Sequence, residues 1–270
     1  MPRAVWLTDI HLDHASDEAI DQLVSDLQGA DPDFVLVGGD IGEARNFADF
    51  LRTLGSSVSA RICFVLGNHD YYRSNIVSVR EQAASLSSES ISWLPQCEPI
   101  VLSNDTVLIG NGGWGDARVG DIFGTEIFLN DYALIDELRT VATPGCMTDE
   151  LVFKLNALGD EAATNLSSKI DAAFEMASHV YLLTHVPPYR EACWYEGKTS
   201  DDNWAPHFTC KAVGDLLTTA MEQRPSKQLT VLCGHTHGEG FAQILPNLEV
   251  RTAAAEYGRP GIVDIIELPE

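Results

Sequence analysis

Positive charge is scarce in this 270-residue chain: 17 Lys and Arg stand against 40 Asp and Glu, a formal net charge of -23. An acidic field of that size repels nucleic acid backbones and anionic membranes within a screening length of about 8 Å. A protein that binds nucleic acid polymers is thereby excluded. Long apolar runs are missing too. Stretches such as Ala4 to Leu7 and Ile62 to Leu66 fall far short of the roughly 20 residues that a membrane span needs. Met1, Pro2 and Arg3 lead so quickly to Asp9 and His11 that no signal-peptide apolar region fits between them. The expectation is a cytoplasmic protein with no membrane partner. The six cysteines lie far apart and form no CxxC pair, which points away from a zinc knuckle and from a disulfide framework. Cys63 and Cys233 sit inside apolar runs and read as inert core residues. The glycines from Gly110 to Gly115 lack the GxxxxGK[ST] pattern of a nucleotide-cradling loop.

What is present is an ordinary globular composition, 45% hydrophobic, in a chain long enough for a sizeable core. Short β-branched or aromatic runs bounded by Gly, Asp or Asn predict strands at Val5 to Leu7, Phe34 to Val37, Ile62 to Leu66, Val107 to Ile109, Val180 to Leu183 and Leu229 to Leu232. Further strands are expected near 241–245, 249–253 and 262–268. Helical spacing follows Ser16 and Asn46, and recurs over 76–86, 163–174 and 213–221. Strands alternating with helices, then a strand-rich end, argue for a layered α/β domain. No repeat, low-complexity segment or linker stands out, so one domain over 1–270 is expected. Irregular segments near 112–147 and 189–209 read as substrate loops.

The polar residues gather where strands end. The first strand runs into Asp9 and His11, the second into Gly39 and Asp40, the third into Gly67, Asn68, His69 and Asp70. The run at Val180 delivers His185, and the run at Leu229 delivers Gly234, His235, Thr236 and His237. Ligands of open α/β sheets sit beyond strand C-termini, so five such ends can crowd one site. Nitrogen and hard oxygen donors without thiolate suit Mn, Fe, Zn or Ni. Seven donors are too many for one ion; two ions about 3.5 to 4 Å apart would use them all, with Asp40, alone on its strand end, as the natural bridge.

In their order and setting, these five blocks resemble the signature of the calcineurin-like metallophosphoesterase superfamily, over most of the chain from Asp9 to His237. The resemblance implies a four-layer α/β/β/α sandwich, two mixed sheets flanked by helices. It also implies a dinuclear hydrolase that cleaves a small soluble phosphate mono- or diester through a metal-bridging hydroxide. Carried over by position, Asp9, His11, Asp40 and His237 would hold the first divalent ion, and Asp40, Asn68, His185 and His235 the second. His69 matches the histidine that stabilises the transition state and can protonate the leaving group. The sequence reads Gly39-Asp40-Ile41-Gly42-Glu43-Ala44-Arg45, without the Asp-Arg-Gly of the superfamily's protein phosphatases, which disfavours a phosphoprotein substrate.

Other residues are candidates for lesser roles. Arg118 and Arg190 could pair with phosphate oxygens, and His207 could touch substrate. Asp13 and Asp70 could orient ligand imidazoles. Loop aromatics, among them Trp114, Phe128, Tyr132, Tyr195, Trp204 and Phe208, could stack a base or line an apolar pocket. Two alternatives stand beside the phosphoesterase reading: a cyclic-nucleotide phosphodiesterase, and a non-catalytic binding module on the same fold. The complete donor set argues against the latter.

Overall fold

The computed structural model describes residues 1–269. Two large mixed sheets stack face to face, each covered outside by helices. The strands are β1 (Arg3–Leu7), β2 (Phe34–Val37), β3 (Arg61–Phe64), β4 (Ile91–Trp93), β5 (Ile100–Ser103), β6 (Thr106–Gly110), β7 (His179–Leu183), β8 (Trp194–Tyr195), β9 (Lys198–Thr199), β10 (Gln228–Cys233), β11 (Gly240–Leu245), β12 (Leu248–Thr252) and β13 (Asp264–Glu267). The helices are α1 (Asp17–Ala30), α2 (Phe47–Ser57), α3 (Ile76–Ser85), α4 (Asp131–Leu134), α5 (Asp136–Arg139), α6 (Asp149–Met176), α7 (Ala205–Phe208) and α8 (Lys211–Glu222).

The first sheet has the order β13-β1-β2-β3-β4 and the second β11-β12-β10-β7-β6-β5. Strands β1 to β4 run parallel, as do β6, β7, β10 and β12, while β13, β11 and β5 are antiparallel edges. Period-two alternation builds the layers. Ala4 and Trp6 of β1 face the other sheet, where they join Leu108, Leu183 and Leu232 in the central core. Val5 and Leu7 of the same strand face outward and pack in one cluster with Leu23, Leu27, Leu51 and Leu54 of α1 and α2. On the far side Val180, Leu182, Leu229 and Val231 pack with Leu166, Ile170, Leu217 and Met221 of α6 and α8. Because both faces of each sheet are buried, the central strands are continuous apolar runs.

The sequence pattern misses the short strands β4, β5, β8 and β9, the one-turn helices α4, α5 and α7, and half of α6. β4 is three residues long and β5 lies between Pro99 and Asn104, too short and too interrupted to be read. α6 starts at Asp149, where the Thr148 hydroxyl accepts the Leu151 N–H at 3.1 Å, well before the 163–174 stretch expected. Gly159 masks its first half. A Cβ there would lie 2.6 Å from Cβ of Asp116, so the glycine marks a close approach of the 112–147 segment to the helix and not a helix end. No helix among the described residues is long and apolar enough to cross a membrane.

Candidate metal centre

β1, β2, β3, β7 and β10 are all parallel within their sheets, and the chain leaves each at the end that carries polar residues. Hydrogen bonds stitch these exits together. The Asp9 N–H donates to the Gly39 carbonyl at 3.0 Å, the His11 N–H to the Asp40 carbonyl at 2.9 Å, and the Gly234 N–H to the His185 carbonyl at 3.0 Å. The turns are tight enough to force left-handed backbone on Asp9, His11, Asp40, His235 and His237, with φ of 51°, 37°, 51°, 69° and 57°. Such conformations cost non-glycine residues about 1–3 kcal/mol each and persist where the surroundings over-determine them. Here they turn five polar side chains back over the strand ends. Two glycines make the room: a Cβ on Gly67 would lie 2.2 Å from Oδ1 of Asp40, and one on Gly234 would lie 1.8 Å from Oδ2 of Asp9.

Ligand atoms of Asp9, His11, Asp40 and His237 lie within 4.8 Å of one another. Nε2 of His11 is 3.3 Å from Nε2 of His237 and 3.6 Å from Oδ2 of Asp40, and Nε2 of His237 is 3.4 Å from Oδ1 of Asp9. Beside this group stands a second. Nε2 of His185 is 3.0 Å from Oδ1 of Asn68 and 3.5 Å from Oδ1 of Asp40. Asp40 therefore presents one oxygen to each group.

Hydrogen-bond bookkeeping shows what the second group lacks. Nδ1 of His185 is 3.0 Å from the Gly38 carbonyl, which only accepts, so the ring proton sits on Nδ1 and Nε2 carries a lone pair. Nδ2 of Asn68 donates to Oδ1 of Asp131 at 2.8 Å, which turns the amide oxygen toward His185. Three ligand atoms, Nε2 of His185, Oδ1 of Asn68 and Oδ1 of Asp40, thus converge, and neither the His185 ring nor the Asn68 amide offers a proton to the others. His235 is oriented in the same way, its Nε2–H toward the His207 carbonyl at 3.3 Å, which leaves Nδ1 as its acceptor. In the first group Nδ1 of His11 is buried without a partner.

Charge points to the same kind of occupant. Asp9 and Asp40 are each 2% exposed, and among the described residues only histidines lie within ion-pair distance of them. Burial pushes His11 down to about 2 and holds His185 and His235 below the usual imidazole range, so these rings are neutral donors of lone pairs. Burial, then the charges of Asp9 and Asp70, push the Asp40 carboxyl well above the carboxylate range. Two buried carboxylates without a Lys or Arg, ringed by neutral imidazoles and a carboxamide oxygen, fit hard or borderline divalent cations.

The calcineurin-like phosphoesterase profile matches residues 2–239. The chain belongs to that family. As a calcineurin-like phosphoesterase it is a metal-dependent phosphoric ester hydrolase, and its sheets and helices have the family's architecture. The fold is similar to that of a phosphopantetheinyl hydrolase from Mycobacterium tuberculosis, at a TM-score of 0.61 and 15% identity, covering 96% of this chain and 90% of that one. It is also similar to a dimetal phosphatase from Danio rerio, at a TM-score of 0.56 and 12% identity, covering 94% and 87%. No curated protein matches the sequence.

Around the donors of this phosphoesterase lie residues that the sequence pattern did not mark. Asp131, 3% exposed, accepts from Nδ2 of Asn68 and, at 2.7 Å, from the Tyr72 hydroxyl. Tyr72 in turn stacks on His69, ring centroids 4.3 Å apart. Tyr257 lies 4.4 Å from the His11 ring and 5.2 Å from the His237 ring. Asp131 and Tyr257 sit in irregular stretches far along the chain, where no spacing links them to the strand ends. His69 stands at the edge, Nε2 4.0 Å from Oδ2 of Asp40, while its own N–H donates to Oδ1 at 2.9 Å. Burial, reinforced by His185, pushes its imidazole down to about 3.

Several expected contacts fall elsewhere. Asp70 orients no imidazole; its carboxylate accepts the backbone N–H groups of Gly67, Asp40, Ile41 and Gly42 at 2.8 to 3.1 Å and so clamps two strand exits together. Asp13 faces His14 at 3.6 Å. Arg118 pairs with Asp116 at 3.0 Å and Asp160 at 2.8 Å, and Arg190 with Asp202 at 2.6 Å; neither lines the cavity over the donors. His207 is 2% exposed, its ring held by the Tyr132 hydroxyl at 2.5 Å and the Thr125 hydroxyl at 3.2 Å. It supports His235 through its carbonyl and is sealed from solvent. Among the loop aromatics, Tyr195, Trp204 and Phe208 line the cavity, which has a volume of about 250 Å³.

Proposed function

We propose that this chain is a dinuclear phosphoesterase that hydrolyses a small soluble phosphate ester in the cytoplasm. Asp9, His11, Asp40 and His237 hold one divalent ion, and Asp40, Asn68, His185 and His235 hold the other. The observation that carries this reading is the convergence of Nε2 of His185, Oδ1 of Asn68 and Oδ1 of Asp40, beside a second cluster that shares Asp40. Two divalent cations bound there supply a hydroxide nucleophile at neutral pH and a positive seat for the phosphoryl oxygens.

The chain's own residues do the rest. Asp40 holds both clusters in register, since its carboxylate is fixed by the His69 N–H. Asp9 is fixed by the Thr8 hydroxyl at 2.7 Å and the His235 N–H at 2.9 Å. His69 supplies an N–H donor at the rim of the site, where a leaving oxygen gathers charge. Because burial keeps the ring neutral, it stabilises that oxygen as a hydrogen-bond donor, a type of contact worth about 2.7–4 kcal/mol in preorganised sites. Six cysteines, none in a disulfide, suit a reducing compartment.

The test is to strip the purified protein with a chelator and add back Mn, Fe, Zn or Ni singly. Cleavage of p-nitrophenyl phosphate or bis(p-nitrophenyl) phosphate should vanish on stripping and return with at least one metal. Absence of cleavage under every metal, with the protein folded and loaded, contradicts the proposal.

A further inference from the structure

The cavity above the donors has an unusual charge inventory for a site that takes a phosphate. No Lys or Arg lines it among the described residues. Arg73 lines a neighbouring depression and is paired with Glu43 at 3.0 Å. The cavity wall instead contributes a third carboxylate, Asp131, to those of Asp9 and Asp40. Three carboxylates and the hydroxide nucleophile against two divalent ions leave a formal charge of zero. A phosphodiester monoanion takes that to -1. A monoester dianion drives it to -2 in a protein with a net charge of -23, where uncompensated charge is more strongly disfavoured with each added unit.

The rest of the wall is aromatic. Trp204 stacks on Phe208 with centroids 5.1 Å apart and planes at 24°, and Phe208 meets the His235 ring edge-on at 4.8 Å. Trp204 is 36% exposed and lines the cavity together with Phe208 and His235. Its backbone is pinned rather than loose. The Trp204 N–H donates to Oδ1 of Asp201 at 3.1 Å, and His207 bolts the same short helix, α7, to Thr125 and Tyr132. A fixed, half-open indole over a dinuclear site is a platform for a flat group.

Resting on the phosphoesterase reading, we infer that the substrate is a phosphodiester monoanion bearing a flat aromatic group that stacks on Trp204, and that the reaction stops at the monoester. In that reaction the phosphorus bond to one ester oxygen breaks and a bond to a water oxygen forms. One water proton ends on the departing alcohol, and the other is lost to solvent as the phosphomonoester ionises above its second pKa of about 6. That product carries the second negative charge that the cavity does not neutralise, so it leaves intact.

The experiment compares bis(p-nitrophenyl) phosphate with p-nitrophenyl phosphate on the metal-loaded enzyme, with a binding titration of the metal-loaded His69→Ala variant by diphenyl phosphate and by phenyl phosphate. The diester should show a kcat/KM at least tenfold higher, release one equivalent of p-nitrophenol and yield no inorganic phosphate. Diphenyl phosphate should bind more tightly than phenyl phosphate. Trp204→Ala should raise KM for the aryl diester about three- to tenfold with little change in kcat, and Trp204→Phe should restore it. Equal or better cleavage of the monoester, release of inorganic phosphate, tighter binding of phenyl phosphate, or an unmoved KM in Trp204→Ala overturns the inference while the phosphoesterase reading stands. Cleavage of neither compound overturns both.

Discussion

Asp131 accepts the Asn68 amide N–H at 2.8 Å, and that contact decides which end of the carboxamide faces His185. A buried Asn is ambiguous on its own, since its oxygen and nitrogen are close in size. The carboxylate removes the ambiguity because it accepts only. Asp131→Ala should therefore weaken the second ion while leaving the first, by about 10- to 100-fold in affinity, as is usual when a ligand's supporting partner is removed. Metal stoichiometry after dialysis checks this: one ion should be retained per chain where the parent retains two. Tyr72→Phe, which removes the other donor to the same oxygen, should show the same defect more weakly.

His69→Ala should retain both ions and lose turnover by about 10²- to 10³-fold in kcat, the cost of deleting one preorganised donor. Metal analysis beside steady-state kinetics checks it. An unchanged kcat would remove the donor role.

Gly234→Ala should fold and fail to hold the first ion. The new methyl would meet Oδ2 of Asp9 at 1.8 Å, and that carboxylate has nowhere to retreat, being held by Thr8 and the His235 N–H. Circular dichroism should match the parent, with metal content reduced. Full occupancy of two ions would show that Asp9 is more mobile than its contacts imply.

Stability should fall as pH drops below about 6.5. Burial pushes His207 down to about 4 from 6.5. The unfolded chain therefore takes up a proton between those values and the native state does not. Stability is complete above the unfolded value and is drawn down as pH falls toward 4, by about 3 kcal/mol for this one ring. Thermal midpoints of the metal-free protein between pH 7 and pH 4 check the sign, and His207→Gln should flatten the decline.

The central strands were legible in the sequence because both faces of each sheet are buried, which writes them as unbroken apolar runs such as Phe34 to Val37. The donors were legible for a related reason: each follows such a run directly, so chain order alone places Asp9, Asp40, Asn68, His185 and His235 at sheet ends. What surrounds them was not. Asp131, Tyr72 and Tyr257 reach the site through tertiary folding of segments with no periodicity, and a buried Asp looks like any loop Asp until its partners are known. Arg118 and Arg190 misled for the converse reason. Closeness in sequence to a substrate loop says nothing about which carboxylate captures a guanidinium, and Asp160 of α6 and Asp202 capture these two.

The central claim is a pair of ions bridged by Asp40, and anomalous diffraction from Mn-loaded crystals tests it most directly. The account predicts two peaks about 3.5 to 4 Å apart, one among Asp9, His11 and His237, the other among Asn68, His185 and His235, with the Asp40 carboxylate touching both. A single peak at full Mn occupancy, or two peaks with Asp40 bound to only one, would contradict it.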